Sequence, residues 1–150
     1  MAKATPATVA LEKAGIPITL HEYDPGECGV GAYAAQALGI EPARLLKNLM
    51  LRAGGATLCV LVSTDRTLNL KRLAAAAGAK DAALLAPAHA ERATGYHVGG
   101  ISPFGQKKRA RRSGRRLCHR LRNGGRRGLE IEVRPADLVR VLDATVVELT

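Results

Sequence analysis

The chain has 150 residues, 47% of them apolar, and a net charge of +10. That length and apolar content exclude a natively disordered tail and predict one domain, residues 1–150, able to bury its own core. The three cysteines, Cys28, Cys59 and Cys118, form no CxxC pair, so neither a zinc knuckle nor a disulfide framework is suggested, and a reduced, cytoplasmic setting is expected.

In chain order, the N-terminus lacks the apolar core of about 7–15 residues that marks a secretory signal. No window approaches the roughly 18 consecutive apolar residues of a membrane span, so a soluble protein is expected. Thr5-Pro6 predicts a capped helix that Gly15 closes. A strand over 18–23 follows and breaks at Asp24-Pro25-Gly26. Residues 31–38 are alanine-rich and helical, and Pro42 starts a further short turn. Two apolar runs, 48–52 and 57–62, flank Ala53-Gly-Gly-Ala56, which predicts a hairpin. Asn69 caps a helix to Ala77, and Pro87 opens another to about Ala93. A strand over 129–133, a helix over 136–142 and a last strand over 145–149 complete the set. Strands arrive in pairs rather than alternating with helices, so the fold class is α+β, a mixed β-sheet with surrounding helices.

The charge is unevenly placed. Arg111, Arg112, Arg115, Arg116, Arg120 and Arg122 crowd a stretch, 110–123, that holds no acid, and the rest of the chain is only mildly basic. A basic surface points toward nucleic acid. Yet the chain has one phenylalanine, three tyrosines and no tryptophan, too few rings for a general base-stacking surface.

Gly29-Val-Gly31-Ala-Tyr-Ala34 matches a dinucleotide fingerprint, but no apolar strand precedes it and no acid follows at the required distance, so it reads as a glycine-rich helix entry. The four histidines are scattered, and neither a metal site nor a Ser-His-Asp triad assembles from them. Lys47 is the one cation in the run Leu45–Leu51; it must snorkel, pair with an acid or face a pocket, where it offers a fixed charge to a phosphate or oxyanion. Gly95-Tyr-His-Val-Gly-Gly-Ile-Ser-Pro103 is the second candidate, since glycines let backbone N–H groups approach a ligand.

Together, Leu45-Leu-Lys-Asn-Leu49, Leu68-Asn-Leu-Lys-Arg-Leu73, the long motif from Thr94 to Arg109, and Gly124-Gly-Arg-Arg-Gly-Leu-Glu-Ile-Glu132 resemble the YbaK/EbsC family. This family comprises the prolyl-tRNA editing domains and their free-standing relatives, and the likeness runs from Thr5 to about Val147. Gly-Ile-Ser-Pro followed by Gly-Gln-Lys-Lys resembles its Cys-tRNA(Pro) deacylases. The resemblance implies a YbaK-like α+β fold, hydrolysis of the ester that joins a wrong amino acid to tRNA(Pro), no metal and no cofactor. It implies cysteine-mischarged tRNA(Pro) as substrate, prolyl-tRNA synthetase as a possible partner, and no membrane. It places Lys47 on an essential lysine and Gly99, Gly100 and Ile101 in a catalytic loop. It makes Tyr23, Asn48, Ser102, Pro103, Asn123, Gly124, Gly125 and Glu130 substrate-binding. Two of these depart from the family pattern: Glu130 stands where aspartate is common and Asn123 where serine is common. In this chemistry the mischarged cysteine's own thiol attacks its carbonyl, so the enzyme need not supply a nucleophile. A basic RNA-binding protein and an inactive relative are the alternatives.

Relatives carry an apolar strand where this chain has 110–123, and six arginines fit no central strand, since unpaired buried charge is prohibitive. The expectation is therefore an exposed, mobile loop that leaves its neighbours with unpaired edges. A matching stretch, an arginine-rich interval and a matching stretch again is the pattern that paired compensating frameshifts leave in a GC-rich gene; a genuine basic tRNA-binding insertion is the alternative.

Overall fold

The computed structural model describes residues 4–26, 32–107, 111–114, 121–123 and 127–150. Helix α1, Pro6–Lys13, starts where the sequence places it. Thr5 Oγ1 accepts from the Thr8 N–H at 3.3 Å, and Thr8 Oγ1 accepts from the Thr5 N–H at 2.9 Å. Two N–H groups that a helix start leaves orphaned are thereby satisfied. Its Ala7 and Leu11 face the core.

Two sheets carry the structure. Strand β1, Thr19–Glu22, pairs antiparallel with β7, Leu129–Glu132, which in turn pairs antiparallel with β6, Leu121–Asn123. The larger sheet is mixed and has the order β4, β2, β3, β5, β8. Strands β2, Leu46–Ala53, and β3, Ala56–Ser63, form the expected hairpin, with Ala53 opposite Ala56 and Gly54 at φ +58° in the turn. Strand β4, Ala82–Leu84, lies antiparallel on the outer side of β2. On the other side β5, Arg111–Gly114, and then β8, Thr145–Val146, run parallel to β3. The mixed sheet and flanking helices are the α+β class read from the sequence.

The β2–β3 hairpin is covered on both faces. Leu46 and Leu61 meet α1, Tyr96, Phe104, Ile131 and the helix α5, Pro135–Leu142. Leu51, Leu58, Val60 and Val62 meet Leu149 and Leu73 of α3, Leu70–Ala76. Helix α2, Ala32–Leu38, and the 3-10 turn Pro42–Arg44 pack Ala34 and Ala35 against Leu45. Among the described residues no helix is long and apolar enough to cross a membrane.

The loop expected over 110–123 is corrected. Arg111–Gly114 lies inside the larger sheet, with Leu58 opposite Arg111 and Leu61 opposite Gly114, and Leu121–Asn123 completes the smaller one. Sheet pairing is made by backbone N–H and C=O groups that every non-proline residue carries, so an arginine-rich strand can still satisfy the edge that β3 presents. Residues 110 and 115–120 lie outside the described residues. The last strand is also shorter than expected, ending at Val146, and Leu149 is instead buried beyond it.

Tyr96 is 4% exposed and its hydroxyl donates to the Phe104 carbonyl. Burial pushes this phenol from 10.0 up to about 12. The unfolded chain then loses the proton first, so this contribution to stability is complete below pH 10.0 and is lost as pH rises toward about 12. Tyr96→Phe is expected to flatten the alkaline fall in stability over that interval. Denaturant titrations of both proteins measure it, and equal slopes would place the loss elsewhere.

Candidate active site

The site is built on the segment after α4, Pro87–Thr94. Gly95 ends that helix in the left-handed region, with its N–H donating to Glu91 O at 2.8 Å. The Val98 N–H donates to Glu91 Oε1 at 2.9 Å, and the Gly100 N–H donates to the His97 carbonyl at 2.9 Å, closing a turn. Gly99 takes φ +93°, which L side chains resist. Beyond the turn two side-chain amides grip successive carbonyls. Asn48 Nδ2 donates to Ile101 O at 3.2 Å, and Gln106 Nε2 donates to Ser102 O at 3.0 Å. Ser102, Pro103 and Phe104 are buried.

The Gly100 N–H is committed to His97, and Ser102 is 0% exposed. Ile101 is only half-buried, and its N–H donates to none of the described residues.

Asn48 and Lys47 are neighbours on β2, and strand alternation sends them to opposite faces. Asn48 faces the Gly99–Pro103 loop and accepts at Oδ1 from Cys59 Sγ, 2.7 Å away. Lys47 Nζ donates to the Arg66 carbonyl at 2.7 Å, in the connection between β3 and α3. It makes no hydrogen bond or ion pair with the glycine loop. One of its three ammonium donors is spent on backbone.

A second group forms where β1 meets β7. Glu130 is 4% exposed, and the Tyr23 hydroxyl is buried, with no well-formed hydrogen bond among the described residues. Burial, and after it the Glu130 charge, raises the Tyr23 phenol above its ordinary value, with the Gly128 amide and Arg127 opposing. The Tyr33 ring lies 6.5 Å from the Tyr23 ring at a tilt. Arg127 is the link to the loop. A Cβ at Gly99 would sit 3.2 Å from Arg127 Cδ and 3.3 Å from its Cγ, so the missing side chain makes room for this arginine. In the sequence, Arg127 is marked only by its place between glycines, in Gly124-Gly-Arg-Arg-Gly128.

The structure thus brings Asn48, Gly99, Gly100, Ile101, Ser102 and Pro103 into one group. Tyr23 and Glu130 form another beside Arg127, and Lys47 stands on the opposite face. Asn123 pairs through its backbone with Glu130, while Gly124 and Gly125 lie outside the described residues. A cavity of about 430 Å³ beside Phe104 and Arg140 and one of about 200 Å³ beside Thr19 and Glu132 are lined by none of these residues.

The model of the aminoacyl-tRNA editing domain family matches residues 31–113, which span β2, β3 and the whole glycine loop. The chain belongs to the YbaK/EbsC aminoacyl-tRNA editing family. It is 29% identical over 153 residues to EbsC of Enterococcus faecalis, named as a candidate Cys-tRNA(Pro)/Cys-tRNA(Cys) deacylase; the match covers 97% of this chain and 93% of that one. It is 36% identical over 77 residues to a proline–tRNA ligase of Acidithiobacillus ferrooxidans, covering 50% of this chain and 14% of the ligase. The crystal structure of a candidate trans-editing enzyme for prolyl-tRNA synthetase superposes with a TM-score of 0.88 at 22% identity, covering 99% of both chains. That likeness establishes the YbaK-like fold, including the mixed sheet on which the editing-family loop is mounted.

Proposed function

We propose that this YbaK/EbsC protein is a free-standing aminoacyl-tRNA deacylase, acting as a single domain, that removes cysteine from mischarged tRNA(Pro) in the cytoplasm. The observation that carries the reading is the clamped glycine loop, held by side-chain amides on its carbonyls and leaving the half-buried Ile101 N–H without a described acceptor. Such a donor suits an oxyanion that develops on the ester carbonyl.

The reaction on this reading uses the substrate's own nucleophile. The cysteinyl thiol loses its proton and its sulfur attacks the ester carbonyl carbon. A carbon–sulfur bond forms, the carbon–oxygen bond to the ribose breaks, and the released ribose oxygen takes a proton. Water then opens the small thiolactone to free cysteine. Holding thiol and carbonyl together contributes at most about 7–11 kcal/mol, reduced here by ring strain. Tyr23, Glu130 and Arg127 shape the pocket for the amino acid, with Asn48, Ser102 and Pro103 supporting the loop and Asn123, Gly124 and Gly125 flanking it. Lys47, with two ammonium donors beyond the one given to Arg66, holds the terminal ribose or its phosphate. Mischarged tRNA(Pro) is the partner the reaction requires, and prolyl-tRNA synthetase is the protein that would produce it.

The test is deacylation of Cys-tRNA(Pro) and Ala-tRNA(Pro) side by side, with a salt titration of tRNA binding. Alanine has no thiol, so Cys-tRNA(Pro) is expected to turn over faster by at least about a hundredfold in kcat/KM. Equal rates would remove the substrate-assisted route. Salt-sensitive binding without turnover would instead favour a basic RNA-binding protein, and the absence of both an inactive relative.

A further inference from the structure

Ile101 and Ser102 present consecutive carbonyls to two carboxamides, and a carboxamide turned by 180° fits the same space with its oxygen facing theirs. Something must hold the nitrogens toward the loop. For Asn48 it is Cys59, a fully buried residue of β3 whose Sγ donates to Asn48 Oδ1 at 2.7 Å. The same sulfur lies 3.7 Å from Gln106 Nε2 as an acceptor, with Met50 Sδ at 3.6 Å beside it. A thiol has one weak donor and one weak acceptor, and here both functions are engaged. Gln106 Oε1, meanwhile, is buried and meets no hydrogen-bond donor among the described residues, a cost accepted to keep Nε2 on Ser102 O.

We propose that Cys59 and Gln106 are positioning residues for the deacylase loop: the Cys59 thiol fixes the amide of Asn48, Gln106 fixes Ser102, and together they hold the two peptide planes that follow Ile101 and Ser102 in one orientation. The inference rests on the deacylase reading for its kinetic consequence, though not for its structural one. Cys59 has no exposed surface, so it touches no substrate and acts only through the amides. The clasped oxygens lie in the peptide planes that follow Ile101 and Ser102, so they restrain the Ile101 Cα from its C-terminal side, and displacing the N–H that this residue carries by a fraction of an ångström is enough to slow chemistry.

Cys59→Val removes the donor at similar volume, Cys59→Ser keeps a donor, and Gln106→Met removes the second grip. On Cys-tRNA(Pro), Cys59→Val and Gln106→Met are each expected to lower kcat about tenfold with KM within about twofold, while Cys59→Ser stays near the parent. Amide hydrogen exchange of the Gly100 N–H, whose bond to His97 closes the loop, gives a readout independent of activity. It is expected to quicken about tenfold in Cys59→Val and not in Cys59→Ser. Unchanged exchange in Cys59→Val, or a Cys59→Ser protein as slow and as loose as Cys59→Val, overturns the positioning role. A parent protein that hydrolyses nothing, yet shows the Cys59-dependent exchange, retains the clasp and overturns the deacylase reading alone.

Discussion

Gly105→Ala is expected to destabilise the protein by roughly 3 kcal/mol and to lower Tm by roughly 10 °C. Gly105 follows the clamped loop, and a Cβ there would sit 2.4 Å from the Pro6 carbonyl oxygen, 2.7 Å from its carbonyl carbon and 3.2 Å from the Ala7 nitrogen. Those atoms are backbone in the first turn of α1, held by the Thr5–Thr8 capping pair, so no rotamer change relieves the overlap. The backbone at Gly105 also takes φ +64°, which alone costs an L residue about 1–2 kcal/mol. Gly15→Ala is the control that separates the two effects. Gly15 has φ +69° but nothing within 4 Å of the added Cβ, so it should show only the conformational cost. Thermal unfolding of both variants measures the difference. Equal melting temperatures would mean that α1 yields to the loop, and that the loop is not braced against it.

The elements legible in the sequence are those with local causes. Thr5-Pro6, Asn69 and Pro87 mark helix starts through side chains or a ring that act within one turn, and Gly54-Gly55 marks the hairpin in the same way. The missed strands have non-local causes. Ala82–Leu84 is a sequence that favours helix, and it is extended because β2 offers it an edge from Leu51 to Ala53. Arg111–Gly114 has no hydrophobic alternation, and its pairing is supplied by β3 and β8. The site divides along the same line. The glycine loop was readable because glycine and proline constrain backbone wherever they stand. Cys59 was not, since a buried thiol between two amides exists only after the chain has folded, and Arg127 offered its place between glycines but not the space above Gly99 that it fills. The separation of Lys47 from Asn48 was readable in principle, because neighbouring residues on a strand point apart.

Lys47→Ala is expected to abolish detectable turnover of Cys-tRNA(Pro), a loss of at least about a hundredfold, while the protein stays folded. The stability side follows from the observed contact. The ammonium donates to one exposed backbone carbonyl, Arg66 O, which water can satisfy once the lysine is gone, so the expected cost is under about 1 kcal/mol. The activity side follows from position. Lys47 and Asn48 leave β2 on opposite faces, so on the proposed deacylase reading the lysine would meet the substrate from the side away from the glycine loop, at the end of the strand. A nucleotide end that lies across this strand would meet the loop with its aminoacyl group and the lysine with its ribose or phosphate. Lys47→Arg keeps the charge but changes its shape and reach, and should recover binding more than turnover. Steady-state kinetics at two salt concentrations distinguish the contributions: a phosphate anchor raises KM and weakens the salt dependence when removed, whereas a residue that sets the ester in place lowers kcat. Near-normal kcat/KM in Lys47→Ala, with an unchanged melting temperature, would leave the lysine as a tether for the Arg66 connection and take it out of the site.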